Sequence, residues 1–158
     1  MENKKLETAM FGAGCFWGVE DFYRKAKGVR ETVVGYSGGF KPDPTYEDVC
    51  TDETNHAEVV VIKFTPVEIS YKKLLEIFWE NHDPTSQDRQ GPDIGTQFRS
   101  VIFYYSSEQQ RFAEASREMI DKSGKYRTKI VTQIAPAQQF WRAEDYHQRY
   151  YERKCILK

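Results

Sequence analysis

Cys15 lies in a glycine-rich segment, residues 12–18, whose pattern is typical of a cysteine nucleophile. The residues before it predict a short strand, and apolar residues recur after it at the helical period. Glycines between the two elements permit a tight turn, which places Cys15 at or near a helix N-terminus. Backbone amides there favour a thiolate. Phe16 and Trp17 follow directly and are large enough to wall an apolar pocket beside the sulfur.

Two other interpretations of this segment compete with a nucleophile. A single cysteine is commonly a small buried hydrophobic residue. The glycines also resemble a dinucleotide-binding loop, but the pattern G-x-G-x-x-G requires glycine where Trp17 stands. No acidic residue ends the next strand, at residues 33–35, where such a loop would need one. The sequence therefore favours the nucleophile over a cofactor loop.

Glu58 is the second residue whose position indicates chemistry. It begins the clearest strand, residues 58–64, and period-two alternation places it on one face with Val60, Ile62 and Phe64. A carboxyl so placed, without a cation, titrates above its usual value of about 4.3. The alternative is a frayed strand end in solvent, and the pattern alone leaves both open.

Length and composition predict one domain over residues 1–158. Aromatic residues make up 15% of the chain, which supplies a packed core without disulfides or metal. The formal net charge of −1 gives no argument for nucleic acid or an anionic membrane as a partner. Neither a secretory signal nor a run near the ~20 apolar residues of a membrane span is present. We expect a cytoplasmic protein.

The three cysteines, Cys15, Cys50 and Cys155, are odd in number and widely spaced, which is not the pattern of a secreted disulfide framework. The three histidines are not spaced as zinc ligands, so no metal or cofactor is expected. In a reducing compartment such cysteines are free or take part in transient redox chemistry.

The elements that must position these residues alternate along the chain. Strands are predicted at residues 7–11, 29–36, 58–64, 99–105 and 130–134, and helices at 19–26, 71–82 and 108–122, the last capped by Ser107. The loops at 37–55, with a helical turn at 46–49, and at 85–97 are long enough to be functional. This order predicts an α+β domain: a mixed β-sheet with helices packed on it and a ferredoxin-like core. A loop-rich C-terminal arm, residues 136–158, carries Cys155 and one short helix at 144–151.

Six segments in this order give the chain a family resemblance: GCFWG, GYSGG, PTYEDVC, HAEVV, NHDPT and GTQFRS. From about residue 11 to residue 151 the chain resembles peptide methionine sulfoxide reductase A. The resemblance implies reduction of the S epimer of methionine sulfoxide, free or in proteins, to methionine.

The resemblance also implies roles for individual residues. Cys15 matches the nucleophile, Phe16 and Trp17 match the pocket for the substrate's ε-methyl group, and Glu58 matches the acid that protonates the sulfoxide oxygen. The same roles are chemically reasonable, because a sulfoxide sulfur is a poor electrophile until its oxygen is protonated or strongly hydrogen-bonded. An acid that keeps its proton near neutral pH, as a buried Glu58 would, meets this need.

The oxygen side of the site includes one departure from the family. Tyr46 matches a tyrosine that hydrogen-bonds the sulfoxide oxygen, and Asp93 matches an aspartate that orders a water. The family usually has a second tyrosine where this chain has Phe98. One hydroxyl donor is therefore missing, but with Glu58 and Tyr46 still facing the oxygen we expect an active enzyme.

A second cysteine must clear the sulfenic acid left on Cys15. Cys155 resembles the resolving cysteine of the family's C-terminal tail, so a Cys15–Cys155 disulfide that thioredoxin reduces is implied. Cys50 is the rival; its simpler interpretation, which we favour, is a buried packing residue.

The remaining candidates and alternatives are weaker. His56 and His82 are expected to orient loops, and His147 to lie on the surface. The chain could instead be a thiol peroxidase, a Cys-His acyl transferase or a non-catalytic module that binds oxidised methionine. A protonated acid beside the thiol has no use in acyl transfer. We expect a monomer.

Overall fold

We describe residues 5–156 of a computed structural model, and of residues 155 and 156 only the backbone. The strands are β1 (Glu7–Ala13), β2 (Val29–Ser37), β3 (Ala57–Phe64), β4 (Arg89–Gln90), β5 (Asp93–Ile94), β6 (Ser100–Tyr104), β7 (Gln133–Pro136) and β8 (Phe140–Arg142). The α-helices are α1 (Phe16–Arg24), α2 (Tyr46–Cys50), α3 (Tyr71–Glu80), α4 (Ser107–Lys122) and α5 (Tyr150–Ile156). Two 3₁₀ turns cover Thr96–Phe98 and Asp145–His147. None of the helices within residues 5–156 is long and apolar enough to cross a membrane.

One six-stranded sheet, in the order β7-β6-β1-β3-β2-β8, organises the fold. Each of the four central strands, β6-β1-β3-β2, is antiparallel to its neighbours in this set, with α1 between β1 and β2 and α3 between β3 and β6. This is the split β-α-β arrangement of ferredoxin-like folds. β7 joins in parallel beside β6, and β8 joins antiparallel beside β2. The sheet is therefore mixed, and the predicted fold class is confirmed.

The apolar faces of α1 and α3 pack on this sheet and hold the Cys15 turn against it. The Phe11 ring of β1 stacks on Tyr23 of α1, with ring centroids 5.3 Å apart, and contacts Phe78 of α3 at 5.4 Å. Such aromatic pairs add to the stabilisation that comes from buried area. The helical period predicted this face of α3, since its buried residues are Tyr71, Leu74, Leu75, Phe78 and Trp79.

The C-terminal arm is part of the sheet rather than a separate layer. β8 pairs with β2, and the Gln148 side chain bonds both the N–H and the C=O of Val34 at 2.9 Å. The predicted single helix at 144–151 is wrong: Arg149, with φ of 50°, separates a 3₁₀ turn from α5.

Two predicted boundaries near the other sheet edge are also displaced. The strand predicted at residues 130–134 is β7, which begins at Gln133 because the Val131 N–H bonds the carbonyl of Pro84 in a loop; β8, which follows it, was not predicted. Ser106 caps α4 in place of Ser107, accepting the N–H of Gln109. Residues 85–97 contain the hairpin β4-β5, which was not predicted.

Candidate active site

Cys15 is the N-cap residue of α1, as the glycine turn predicts. Its carbonyl accepts the N–H groups of Gly18 at 3.2 Å and Val19 at 3.3 Å, which begins the helix. Gly14 has φ of +102°, and a Cβ there would lie 2.9 Å from Gln90 of the β4-β5 hairpin. The turn thus requires glycine for both backbone conformation and space. The Cys15 side chain is half-buried.

Burial raises the pKa of the Cys15 thiol to about 11, although the amides of Trp17 and Gly18 lower it. The negative charges of Glu58 and Asp93 raise it further. The predicted stabilised thiolate is therefore wrong for the substrate-free protein, because desolvation outweighs the helix N-terminus. Cys15 carries its proton at neutral pH, and the chemistry must remove it.

Glu58 lies beside Cys15 with both carboxyl oxygens engaged. Oε1 accepts the backbone N–H of Phe16 and Oε2 accepts Nε2–H of Gln97, each at 3.1 Å. The side chain is only 1% exposed, which excludes the frayed strand end. Burial raises the pKa of Glu58 to about 7 despite these two donors, and Asp93 contributes to the rise. The predicted rise in the pKa of Glu58 is confirmed, and its role as the acid of the reaction stays a prediction.

Tyr46 faces the same space from the first turn of α2. Burial raises the pKa of its phenol, and so do Cys50, Glu58 and Cys15, so all three groups lie near the hydroxyl. A capping box between Thr45 and Asp48 fixes the start of this short helix.

Cys50 is exposed at the end of α2, so its interpretation as a buried packing residue is wrong. A five-residue helix buries one narrow face, here Val49, and leaves its last residue outside. Nε2 of Gln97 lies 3.7 Å from Cys50 Sγ while also donating to Glu58. Cys50 therefore borders the site.

The remaining predicted site residues, Asp93, Phe98 and Cys155, differ in how closely the structure associates them with the site. Asp93, in β5, acts electrostatically on both Glu58 and Cys15 and so joins the group. Phe98 is half-buried in the 3₁₀ turn directly after Gln97, with no contact that assigns it to the pocket. The backbone of Cys155 belongs to α5, but its side chain lies outside the described part of the chain.

The aromatic wall is formed by α1 together with the C-terminal arm. Phe16 is buried, and the half-buried Trp17 stacks on Tyr150 with ring centroids 3.8 Å apart. Trp17 Nε1–H donates to Nδ1 of His147 at 2.8 Å. His147 is 0% exposed, so its expected surface position is wrong.

Glu144 is a further residue that sequence reasoning missed. One carboxylate oxygen accepts the Tyr36 hydroxyl and the other the backbone N–H of Tyr46, each at 2.9 Å. It thereby ties the arm to β2 and α2. The only signal in the sequence was the density of aromatic residues among the charges of the arm.

His56 and His82 orient loops, as expected. His56 Nδ1 accepts the Gly39 N–H at 3.0 Å. His82 is held between the Phe78 carbonyl at 2.6 Å and Ser100 Oγ at 2.7 Å, and burial lowers its pKa to about 4. Across residues 5–156, no group of three or more histidine, cysteine or acidic side chains is arranged to hold a metal ion.

A family model and individual relatives of known name both match this chain, and they give the same family. Residues 7–156 match the family model described as peptide methionine sulfoxide reductase. A protein of Methanosarcina mazei named peptide methionine sulfoxide reductase MsrA is 56% identical over 97% of this chain and 72% of its own length. One of the same name from Methanoculleus marisnigri is 57% identical over 96% of this chain and 92% of its own.

Solved structures share the fold. Reduced Mxr1 from Saccharomyces cerevisiae superimposes with a TM-score of 0.87 at 34% identity, covering 98% of this chain and 88% of its own. Mxr1 in complex with Trx2 gives a TM-score of 0.62 at 28% identity, covering 94% and 87%.

Proposed function

The chain belongs to the peptide methionine sulfoxide reductase A family, and we propose that it reduces the S epimer of methionine sulfoxide, free or in proteins. One observation carries the proposal: a buried carboxyl that keeps its proton near neutral pH is hydrogen-bonded to the amide next to a half-buried thiol. An acid and a nucleophile so paired match the needs of a sulfoxide, whose oxygen must be protonated while its sulfur is attacked.

In the proposed reaction, Cys15 Sγ attacks the substrate sulfur while Glu58 gives its proton to the oxygen. Tyr46 donates a hydrogen bond to that oxygen. The thiol proton returns to the Glu58 carboxylate, so the carboxyl serves first as acid and then as base. The new sulfur–sulfur bond and the substrate's sulfur–oxygen bond then both break as the hydroxyl passes to Cys15 Sγ, which leaves a sulfenic acid on Cys15 and releases methionine. Two electrons pass from the thiol to the substrate, with no net change in protons.

The raised pKa of Cys15 is compatible with this order of reaction steps. Part of the rise comes from the negative charge on Glu58, which is absent while that carboxyl is protonated. The reactive form therefore has one proton on each group. We expect the reaction rate to fall as pH rises above about 7, where Glu58 loses its proton.

The aromatic wall explains how the substrate is oriented. Phe16 and Trp17 offer an apolar surface to the ε-methyl group, while Glu58 and Tyr46 offer polar groups to the oxygen. A sulfoxide of the opposite configuration would place its oxygen against the apolar side and leave it unpaired. We propose this contrast as the source of preference for one epimer, with Asp93 ordering a water on the polar side.

We propose that Cys155 attacks the Cys15 sulfenic acid, releasing water and forming a disulfide that thioredoxin reduces. Its helix, α5, lies against α1, where Glu152 pairs with Arg24 at 3.1 Å. The complex of Mxr1 with Trx2 supports the choice of reductant. This cycle needs a reducing compartment, so we propose that the protein acts in the cytoplasm. For this compact domain we propose a monomer.

Cys50 is a second candidate for the resolving residue, favoured by its exposure and by the donor that it shares with Glu58. The matched variants Cys155→Ser and Cys50→Ser separate the two. We expect both to release one methionine in the first turnover, and only Cys155→Ser to lose recycling by thioredoxin. Loss of recycling in Cys50→Ser alone would transfer the role to Cys50.

The function itself is tested by supplying thioredoxin, its reductase and separated S and R epimers of methionine sulfoxide. We expect methionine from the S epimer only, and none from Cys15→Ser. Turnover of hydrogen peroxide without turnover of methionine sulfoxide would instead indicate a thiol peroxidase. Binding without turnover of either compound would indicate a recognition module.

A further inference from the structure

Tyr151 of α5 is an exposed aromatic residue near Cys15 that no step of the reaction uses. Its ring lies over Gly18 of α1, where a Cβ would be 3.9 Å from Tyr151 Cε2. It also meets the ring of Tyr150 edge-on, with centroids 5.8 Å apart, so the ring is held from two sides. Tyr151 is nevertheless 43% exposed. Part of its aromatic surface is therefore open to a ligand of the site.

The helical period aligns Tyr151 with the nucleophile. Residues three apart lie on the same face of a helix, so Cys15 and Gly18 are neighbours along one stripe of α1. Gly18 has no side chain, and the Tyr151 ring occupies the space above it. Burial raises the pKa of the Tyr151 phenol, and negative charge on Cys15 and Asp93 raises it further. The phenol therefore lies near the thiol, on the side of the site that Asp93 borders.

The shape of the substrate directs its main chain toward this side. The sulfur of methionine sulfoxide carries three substituents, which are the oxygen, the ε-methyl group and the γ-carbon that leads to the main chain. In the proposed reaction the oxygen faces Glu58 and Tyr46, and the methyl group faces the apolar wall. The γ-carbon must therefore leave on the remaining side, which Asp93 and Tyr151 border.

We propose that Tyr151 is a specificity-determining residue, whose ring packs against the peptide chain beside methionine sulfoxide and so favours the sulfoxide in a polypeptide over the free amino acid. A peptide brings neutral amide groups and neighbouring side chains to the ring. The free amino acid brings an ammonium and a carboxylate, and placing charged groups against an apolar surface removes part of their water. The sulfoxide itself is common to both substrates, so Tyr151 acts on the part in which they differ.

The inference rests on the proposed function for its reaction, and the first turnover of the reduced protein tests it without the resolving step. Two substrates of S configuration are compared: free methionine sulfoxide, and a pentapeptide with blocked ends that carries the sulfoxide between two leucines. An aromatic contact contributes about threefold to tenfold in affinity. The second-order rate constant for the peptide should therefore fall by about threefold to tenfold in Tyr151→Ala. For the free amino acid it should stay within about twofold.

Tyr151→Phe and Tyr105→Ala are the matched controls. Tyr151→Phe keeps the ring and should keep the peptide preference of the parent protein. Tyr105 is 45% exposed and follows the end of β6 remote from Cys15, so Tyr105→Ala should change neither rate constant. An unchanged peptide rate constant in Tyr151→Ala would overturn the inference. An equal loss with both substrates, or a loss in Tyr151→Phe as large as in Tyr151→Ala, would also overturn it.

Peptide binding to Cys15→Ser gives a readout that does not depend on activity. This variant lacks the thiol, so an NMR titration measures its affinity for the unreacted peptide. Adding Tyr151→Ala should weaken that affinity by about threefold to tenfold. If the parent protein reduces neither substrate, the proposed function fails, and this titration alone decides whether Tyr151 contacts the peptide. Equal affinities with and without Tyr151→Ala would overturn the contact.

Discussion

Replacing Glu58 by glutamine is expected to stabilise the folded protein at neutral pH while removing the proton that the reaction needs. Burial raises the pKa of Glu58 from its ordinary 4.5 to about 7. Between these two values the folded protein holds a proton that the unfolded chain has released. The contribution of Glu58 to the free energy of unfolding therefore falls as pH rises from 4.5 to 7 and is constant above this range.

The size of this effect follows from the same shift. Each unit of pKa difference corresponds to about 1.4 kcal/mol, so the contribution of Glu58 to wild-type stability falls by about 3 kcal/mol across the window. Glutamine does not titrate, and its oxygen can still accept the Phe16 N–H if the Gln97 amide turns over. The stability difference, Glu58→Gln minus wild type, should thus grow by about 3 kcal/mol from pH 4.5 to pH 8.

Urea unfolding at several pH values measures this difference, with Glu118→Gln as the control. Glu118 is an exposed residue of α4 whose pKa is lowered by the hydrogen bond to Lys122, so its variant should show no such growth. In parallel, the turnover number of Glu58→Gln should fall by about 10²- to 10⁴-fold, the usual contribution of a general acid. A stability difference that is flat with pH would refute the raised pKa, whatever the activity.

Three further predictions test other parts of the account. Phe98→Tyr should leave turnover unchanged or raise it, because it restores the family's second hydroxyl; a large loss in steady-state assays would mean a differently arranged pocket. Glu144→Gln keeps one acceptor oxygen for two donors, the Tyr36 hydroxyl and the Tyr46 N–H, and should lower kcat/KM by about tenfold. An unchanged kcat/KM would contradict a role of Glu144 in holding Tyr46. The pKa of His82 is lowered by burial to about 4, so its contribution to wild-type stability should fall by about 3 kcal/mol from pH 6.5 to pH 4, because the unfolded chain takes up the proton first. In urea unfolding, the stability difference, wild type minus His82→Leu, should therefore fall by this amount, and a difference that is flat with pH would contradict the lowered pKa of His82.

Local pattern was sufficient to predict where the two groups lie that we propose react. The glycine turn placed Cys15 at the start of α1, and period-two alternation placed Glu58 on the buried face of β3. Both inferences depend on residues close in sequence. The raised pKa of Glu58 followed because burial of a strand face can be anticipated from its apolar neighbours.

The properties that sequence reasoning missed depend on distant contacts. The pKa of Cys15 is set by desolvation from loops and helices that come together only in the fold, so its sign was wrong. His147 is buried because β8 pairs with β2 and brings the arm over the Trp17 indole. Cys50 is exposed because its helix is too short to cover it. No local period encodes these arrangements.

The most direct test of the central claim is a single turnover of the fully reduced protein with excess racemic methionine sulfoxide and no reductant. Methionine formed, epimer consumed and free thiols lost are counted per protein molecule. We predict one methionine, from the S epimer only, and two thiols lost, one of them Cys15. One thiol lost would retain the reduction but remove the resolving cysteine from the cycle. No methionine at all would contradict the assignment of Cys15 and Glu58 as the reacting pair.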